Sequence, residues 1–127
     1  MTFSHVSVRA SQMDRSISFY KDLLGLELTR RRPIPQNRAE IAFLMDPGGE
    51  FSLELTHYDD QVEFEQAEYM KRSFDHLAFR VKDLRGLVSK VKGAGYKVTE
   101  EPFELSPGHW LAFIEDPDGT LIELIQE

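Results

Sequence analysis

Two histidines and two glutamates occupy matching places in two copies of one motif. The first copy opens on His5-Val6-Ser7-Val8-Arg9, passes through Ala42-Phe43-Leu44-Met45-Asp46-Pro47-Gly48-Gly49 and ends in Leu53-Glu54-Leu55. The second opens on His76-Leu77-Ala78-Phe79-Arg80, passes through Ala112-Phe113-Ile114-Glu115-Asp116-Pro117-Asp118-Gly119 and ends in Ile122-Glu123-Leu124. The offsets are 71 for the histidines, 70 for the aspartates and 69 for the glutamates, a drift that a small insertion or deletion accounts for. Imidazole and carboxylate together suit nickel, cobalt, zinc, manganese or iron(II). Four such donors around an octahedral ion leave two positions for water or substrate oxygens. A lone histidine or glutamate on a strand is more often structural than a ligand. Four candidates at equivalent places in a duplicated module shift the weight to His5, Glu54, His76 and Glu123 as a metal site.

Arg9 and Arg80 follow those histidines by four residues and face the same way along a strand. A guanidinium pairs bidentately with a carboxylate, so each is a candidate substrate anchor or a strand-end ion pair. Arg30, Arg31, Arg32 and Arg38 read as a solvated basic loop. His57 is out of phase with Glu54; with His109 and Trp110 it reads as a loop or core residue that could line the mouth of the site.

The elements that must position these groups follow from hydrophobic spacing. Phe3 to Arg9 alternates apolar and polar residues, as a half-buried strand does. Met13, Ile17, Phe19, Tyr20, Leu23 and Leu24 recur at helical spacing, with Ser11 as a cap and Gly25 as a stop. Leu26 to Arg32 reads as a strand stopped by Pro33 and Pro35. Glu40 to Met45 and Glu50 to Tyr58 are strands joined by the Asp46–Gly49 turn. The second half repeats the order: strand Asp75 to Val81, a helix capped by Asp83 and ended near Gly93 and Gly95, strand Tyr96 to Glu100, then a hairpin of His109 to Glu115 and Thr120 to Ile125. The fold class is α+β, two tandem βαβββ modules in a single domain over residues 1–127. Module one is about 1–58, a connector about 59–73 and module two about 74–127; the connector's apolar members are Val62, Phe64, Tyr69 and Met70.

Composition narrows the class. With 15 basic against 22 acidic residues the net charge is −7, which disfavours nucleic acid and anionic membrane as partners. Cysteine is absent, which rules out thiolate chemistry and agrees with a reducing cytoplasm. The first strand-like run holds His5 and Arg9, unlike a secretory signal, and no apolar run approaches membrane-spanning length.

At these residues the chain resembles the vicinal oxygen chelate superfamily, which holds glyoxalase I, CoA-thioester epimerases, extradiol dioxygenases and fosfomycin- and bleomycin-resistance proteins. The matching pieces are His5, the segment Arg15-Ser16-Ile17-Ser18-Phe19-Tyr20-Lys21-Asp22-Leu23-Leu24-Gly25, Leu53-Glu54-Leu55-Thr56, Asp75-His76-Leu77-Ala78-Phe79, and Phe113-Ile114-Glu115-Asp116-Pro117-Asp118-Gly119 with Ile122-Glu123-Leu124. The resemblance implies a cupped mixed sheet of the glyoxalase/bleomycin resistance/dioxygenase fold. The His, Glu, His, Glu order is similar to glyoxalase I, the lactoylglutathione lyase; dioxygenases and fosfomycin enzymes have three ligands, and the epimerases have Gln where this chain has Glu54. The short chain is more similar to the glyoxalases that prefer nickel or cobalt than to those that prefer zinc.

The resemblance further implies a homodimer with shared sites, His5 and Glu54 from one chain meeting His76 and Glu123 of the other. Spacing alone leaves pairing within one chain open. The implied reaction converts a 2-oxoaldehyde–thiol hemithioacetal, such as that of methylglyoxal, to a 2-hydroxy thioester through a metal-stabilised enediolate. Glu123 is the implied base and Glu54 the second candidate; Arg9 matches an arginine that contacts the thiol. Another enzyme of the superfamily (an epimerase or dioxygenase) and a non-catalytic small-molecule binder are the alternatives. Glutathione users of this kind carry an Asn after the first glutamate strand and a Lys before the closing hairpin. Here those stretches read Thr56-His57-Tyr58-Asp59 and Phe103-Glu104-Leu105-Ser106-Pro107-Gly108, so the thiol is left open.

Overall fold

The computed structural model describes residues 1–65 and 68–127, all but the side chain of Tyr69. The chain divides into two compact units, Met1–Phe64 and Glu65–Glu127. Each unit carries one four-stranded mixed sheet.

In the first unit the order is β1 (Val6–Arg9), α1 (Met13–Ser18, continued by a π-helical turn Phe19–Leu23), β2 (Glu27–Ile34), β3 (Ala39–Met45) and β4 (Ser52–Tyr58). The sheet order is β1-β4-β3-β2, with β1 parallel to β4 and the other pairs antiparallel. Alternation along β3 and β4 puts Ala42, Leu44, Leu53 and Leu55 on the buried face. α1 packs on those two strands and adds Met13 and Ile17, while Phe19 and Tyr20 of the π turn meet edge to face. Burying one such Leu stabilises by about 1.5–3 kcal/mol. The helical segment ends where Gly25 takes φ +78° and the Leu26 amide bonds back to the Tyr20 carbonyl, a left-handed closure that glycine adopts without Cβ strain. Gln12 rather than Ser11 stands at the N-cap position.

The second unit repeats the order as β5 (Leu77–Arg80), α2 (Leu84–Gly93), β6 (Val98–Ser106), β7 (His109–Glu115) and β8 (Leu121–Gln126), in sheet order β5-β8-β7-β6. Asp83 caps α2 by accepting the Gly86 amide at 2.9 Å. Leu84, Val88 and Val91 of α2 and Ala112, Ile114, Ile122 and Leu124 of the sheet form its core.

Three expectations about boundaries change. β2 runs through Pro33 to Ile34 instead of stopping at Arg32. It is the edge strand, where a residue with no N–H to donate is tolerated on the outward side. β6 likewise starts later and runs past Pro102, again at an edge and with register shifts. β1 and β5 are shorter than expected: their ladders begin at Val6 opposite Leu53 and at Leu77 opposite Ile122. His5 and His76 therefore sit just before their strands, where the partner strands run out. Within the connector, Tyr69–Lys71 forms a single 3-10 turn; the Tyr69 side chain, counted among the connector's apolar members, lies outside the described residues. No helix among the described residues is long and apolar enough to cross a membrane.

Candidate metal centre

Each glutamate stands on the sheet face opposite its helix. Parallel pairing sets Ser7 beside Glu54 on one side, and antiparallel pairing sets Phe43 beside it on the other. The second unit sets Ala78 and Phe113 beside Glu123 in the same way. The histidines then reach diagonally to the glutamates. His5 Nε2 lies 3.9 Å from Glu54 Oε2, and His76 Nε2 lies 3.2 Å from Glu123 Oε2. In each unit an equivalent phenylalanine supports the ring: Phe43 meets His5 edge-on at 5.2 Å and Phe113 meets His76 edge-on at 6.0 Å. Both carboxylates are mostly covered, with 16% and 18% of the side chain exposed, a costly place for a charge that lacks a cationic partner.

The outer nitrogens are also held. His76 Nδ1 is 2.6 Å from Asp75 Oδ1 and His5 Nδ1 is 2.9 Å from Ser4 Oγ. A carboxylate only accepts, so the proton between Asp75 and His76 belongs to Nδ1. In the neutral ring that leaves a bare lone pair on Nε2, aimed at a carboxylate oxygen. Two lone pairs facing each other repel unless a proton or a cation lies between them. Neighbouring donors about 2.1 Å from one ion stand roughly 3.0–3.4 Å apart in octahedral or tetrahedral geometry. The His76–Glu123 separation falls inside that window; His5–Glu54 is about half an ångström wider, within reach of a small side-chain rotation. The donor set fits a divalent ion. Among the described residues no three His, Cys, Asp or Glu side chains are placed to share one ion, since Asp75 is on the far side of the His76 ring from Glu123; each unit presents a His–Glu pair.

Module one adds a contact that module two lacks. Thr56 Oγ1 donates to Glu54 Oε1 at 3.1 Å, and Ser7 Oγ lies 2.9 Å from Thr56 Oγ1. A hydroxyl has one proton, so Thr56 spends it on Glu54 and Ser7 must donate to Thr56.

The arginines separate in character. Arg9 stacks on the Tyr58 ring at 4.3 Å and donates to Gln61 Oε1 at 3.3 Å, both neutral partners. Arg80 instead faces Glu127 at 4.0 Å. Arg30, Arg31 and Arg32 lie on the edge strand β2 rather than in a loop. Arg31 pairs with Asp14 at 2.6 Å and Glu40 at 2.9 Å; those carboxylates, Asp14 first, hold its guanidinium above the ordinary value. Arg38 pairs with Asp60 at 2.9 Å. His57 is tied to the Ala10 carbonyl at 2.9 Å, His109 is exposed near Glu127, and Trp110 lies beneath Arg85. The sequence reading gave no role to the supporting groups Ser4, Ser7, Thr56, Asp75, Tyr58 and Gln61. For Ser4, Ser7, Thr56 and Asp75 the signal was weak, a polar residue next to a candidate ligand or two away from it on the same strand face; Tyr58 and Gln61 stand farther off and gave none.

The family model described as Glyoxalase/Bleomycin resistance protein/Dioxygenase superfamily matches residues 2–124. A probable lactoylglutathione lyase of Synechocystis is 35% identical over 99% of this chain and 95% of its own length. The crystal structure of glyoxalase I from Zea mays superposes with a TM-score of 0.84 at 32% identity, over 97% of this chain and 43% of that one. The chain thus spans less than half of the maize protein. The trypanothione-dependent glyoxalase I of Leishmania major gives a TM-score of 0.79 at 30% identity, over 97% of this chain and 84% of that one.

Proposed function

This chain belongs to the Glyoxalase/Bleomycin resistance protein/Dioxygenase superfamily, and from that premise we propose that it is a metal-dependent lyase of the lactoylglutathione lyase type. The observation that carries the reading is the repeated pair: in each unit an imidazole Nε2 faces a glutamate oxygen, at 3.9 and 3.2 Å, at equivalent register positions. Retention of Glu54, where the epimerases have glutamine, favours this reading over a CoA-thioester epimerase.

His5, Glu54, His76 and Glu123 would hold one divalent ion, nickel or cobalt by preference. When bound, the ion supplies Lewis-acid stabilisation of negative charge on the adjacent substrate oxygens. Two donors per unit do not make a four-ligand site; the superfamily resemblance implies that the units are paired across a homodimer, His5 and Glu54 of one chain with His76 and Glu123 of the other, and we adopt that pairing.

The substrate is the hemithioacetal of a 2-oxoaldehyde and a thiol. Glu123 takes the proton from the thiol-bearing carbon and returns it to the neighbouring carbon, while the hydroxyl proton passes from the first carbon's oxygen to the second's, which leaves a 2-hydroxy thioester. Arg9 carries a charge met only by a ring face and an amide among the described residues, which equips it to bind a carboxylate of the thiol. The thiol itself is not fixed by kinship, since the Leishmania relative is described as trypanothione-dependent. A cysteine-free chain suits a reducing cytoplasm.

Methylglyoxal, a panel of thiols and the nickel- or cobalt-loaded protein test the reading. Thioester absorbance should rise with at least one thiol. A fully loaded protein that forms no thioester with any of them refutes the lyase.

A further inference from the structure

The two halves of the donor set are braced differently. Module one pins its carboxylate: Ser7 donates to Thr56, and Thr56 donates to Glu54 Oε1. Module two pins its imidazole: the Asp75 carboxylate grips His76 Nδ1 at 2.6 Å. At the positions equivalent to Ser7 and Thr56, module two has Ala78 and Ile125, which carry no hydroxyl. The register is otherwise the same, since Ala78 pairs with Glu123 as Ser7 pairs with Glu54, and Ile125 pairs with Arg80 as Thr56 pairs with Arg9. Among the described residues the Glu123 carboxylate meets only the His76 ring.

The consequence is mechanical. Thr56 is itself buried, at 9% exposure, so water competes poorly for its proton. A hydroxyl chain of this kind polarises along its length, because each donor is strengthened by the one behind it. It fixes one Glu54 oxygen against the sheet and leaves the other, Oε2, directed at His5 Nε2. Glu123 lacks such a tether and can swing about its own side-chain bonds.

We propose that Thr56, backed by Ser7, is a positioning residue that makes Glu54 the fixed ligand of the pair and leaves Glu123 as the carboxylate able to move. The inference deepens the proposed function and rests on its donor set. It breaks the near-symmetry of the duplicated modules with two hydroxyls, and it supplies a physical reason for the two glutamates to take different roles.

Cobalt(II) affinity, measured by chelator competition on the full chain, reads the effect without turnover. Thr56→Val keeps the shape and removes the hydroxyl; it should weaken cobalt binding about tenfold, the low end of the loss expected when a ligand's hydrogen-bond partner is removed. Thr56→Ser restores the hydroxyl and should bind within about twofold of the parent, which a purely packing role would not give. Ser7→Ala should lie between parent and Thr56→Val. The double change Ala78→Ser with Ile125→Thr builds the same chain behind Glu123; it should lower kcat about tenfold without weakening cobalt binding. Unchanged affinity in Thr56→Val, or a Thr56→Ser variant as weak as Thr56→Val, overturns the inference while the donor set stands. A parent protein that binds no cobalt overturns the donor set itself, and this inference with it.

Discussion

Replacing Asp75 by alanine should loosen the metal without disturbing the fold. Asp75 lies outside any strand, with 70% of its side chain exposed, and its observed contact is with His76 Nδ1 at 2.6 Å. That bond keeps the proton on Nδ1 and Nε2 free to ligate. Hydrogen bonds to charged groups contribute about 1.5–3 kcal/mol when shielded. Exposure brings water competition, so about 1–1.4 kcal/mol is the reasonable share here, which corresponds to a five- to tenfold loss of affinity. Asparagine can still offer a carbonyl oxygen to Nδ1, so Asp75→Asn should lose only about two- to threefold. Ser4→Ala, which removes a neutral and exposed partner of His5 at 2.9 Å, should lose no more than that. The assay is nickel or cobalt competition against a chelator, with circular dichroism as the fold control. If Asp75→Ala binds as tightly as the parent while His76→Ala does not bind, ring orientation by Asp75 is not what readies this imidazole.

Other perturbations reach the base, the anion anchor, the surface and the core. Glu123→Gln should cut turnover by at least about 100-fold with little change in melting temperature, because it removes the proton acceptor and keeps the shape; retained activity moves the base elsewhere. Arg9→Ala should raise KM for the hemithioacetal about tenfold or more with a smaller change in kcat, and Arg9→Lys should recover only part of it, since an ammonium cannot pair bidentately. Arg31→Ala breaks the exposed bridge to Asp14 and Glu40 and should cost no more than about 1 kcal/mol, an effect that shrinks in high salt in denaturant titrations. Leu124→Ala, at a fully buried position of β8, should cost about 2–5 kcal/mol by the same method. A loss below about 1 kcal/mol would mean that this part of the core relaxes around the cavity.

Much of this was legible in the chain because it is local. Strand alternation set Leu53 and Leu55 against Glu54, and Gly25 and Gly95 marked the helix ends, both at positive φ. The duplicated motif singled out the two His–Glu pairs that the fold brings to 3.9 and 3.2 Å. What failed to show was non-local. Pro33 reads as a strand breaker until β2 is known to be an edge. The Ser7–Thr56–Glu54 chain joins residues 49 apart in sequence through strand register, and register cannot be read from either strand alone. The Arg9–Tyr58–Gln61 contact arises the same way, from parallel pairing of β1 with β4 followed by the turn after β4.

Anomalous diffraction from nickel-loaded crystals shows whether the two His–Glu pairs share one ion. One peak should lie about 2.0–2.2 Å from each of His5 Nε2, Glu54 Oε2, His76 Nε2 and Glu123 Oε2, the two pairs drawn from two chains of a dimer. A peak held by one His–Glu pair alone, or a metal bound away from all four, contradicts a shared ion.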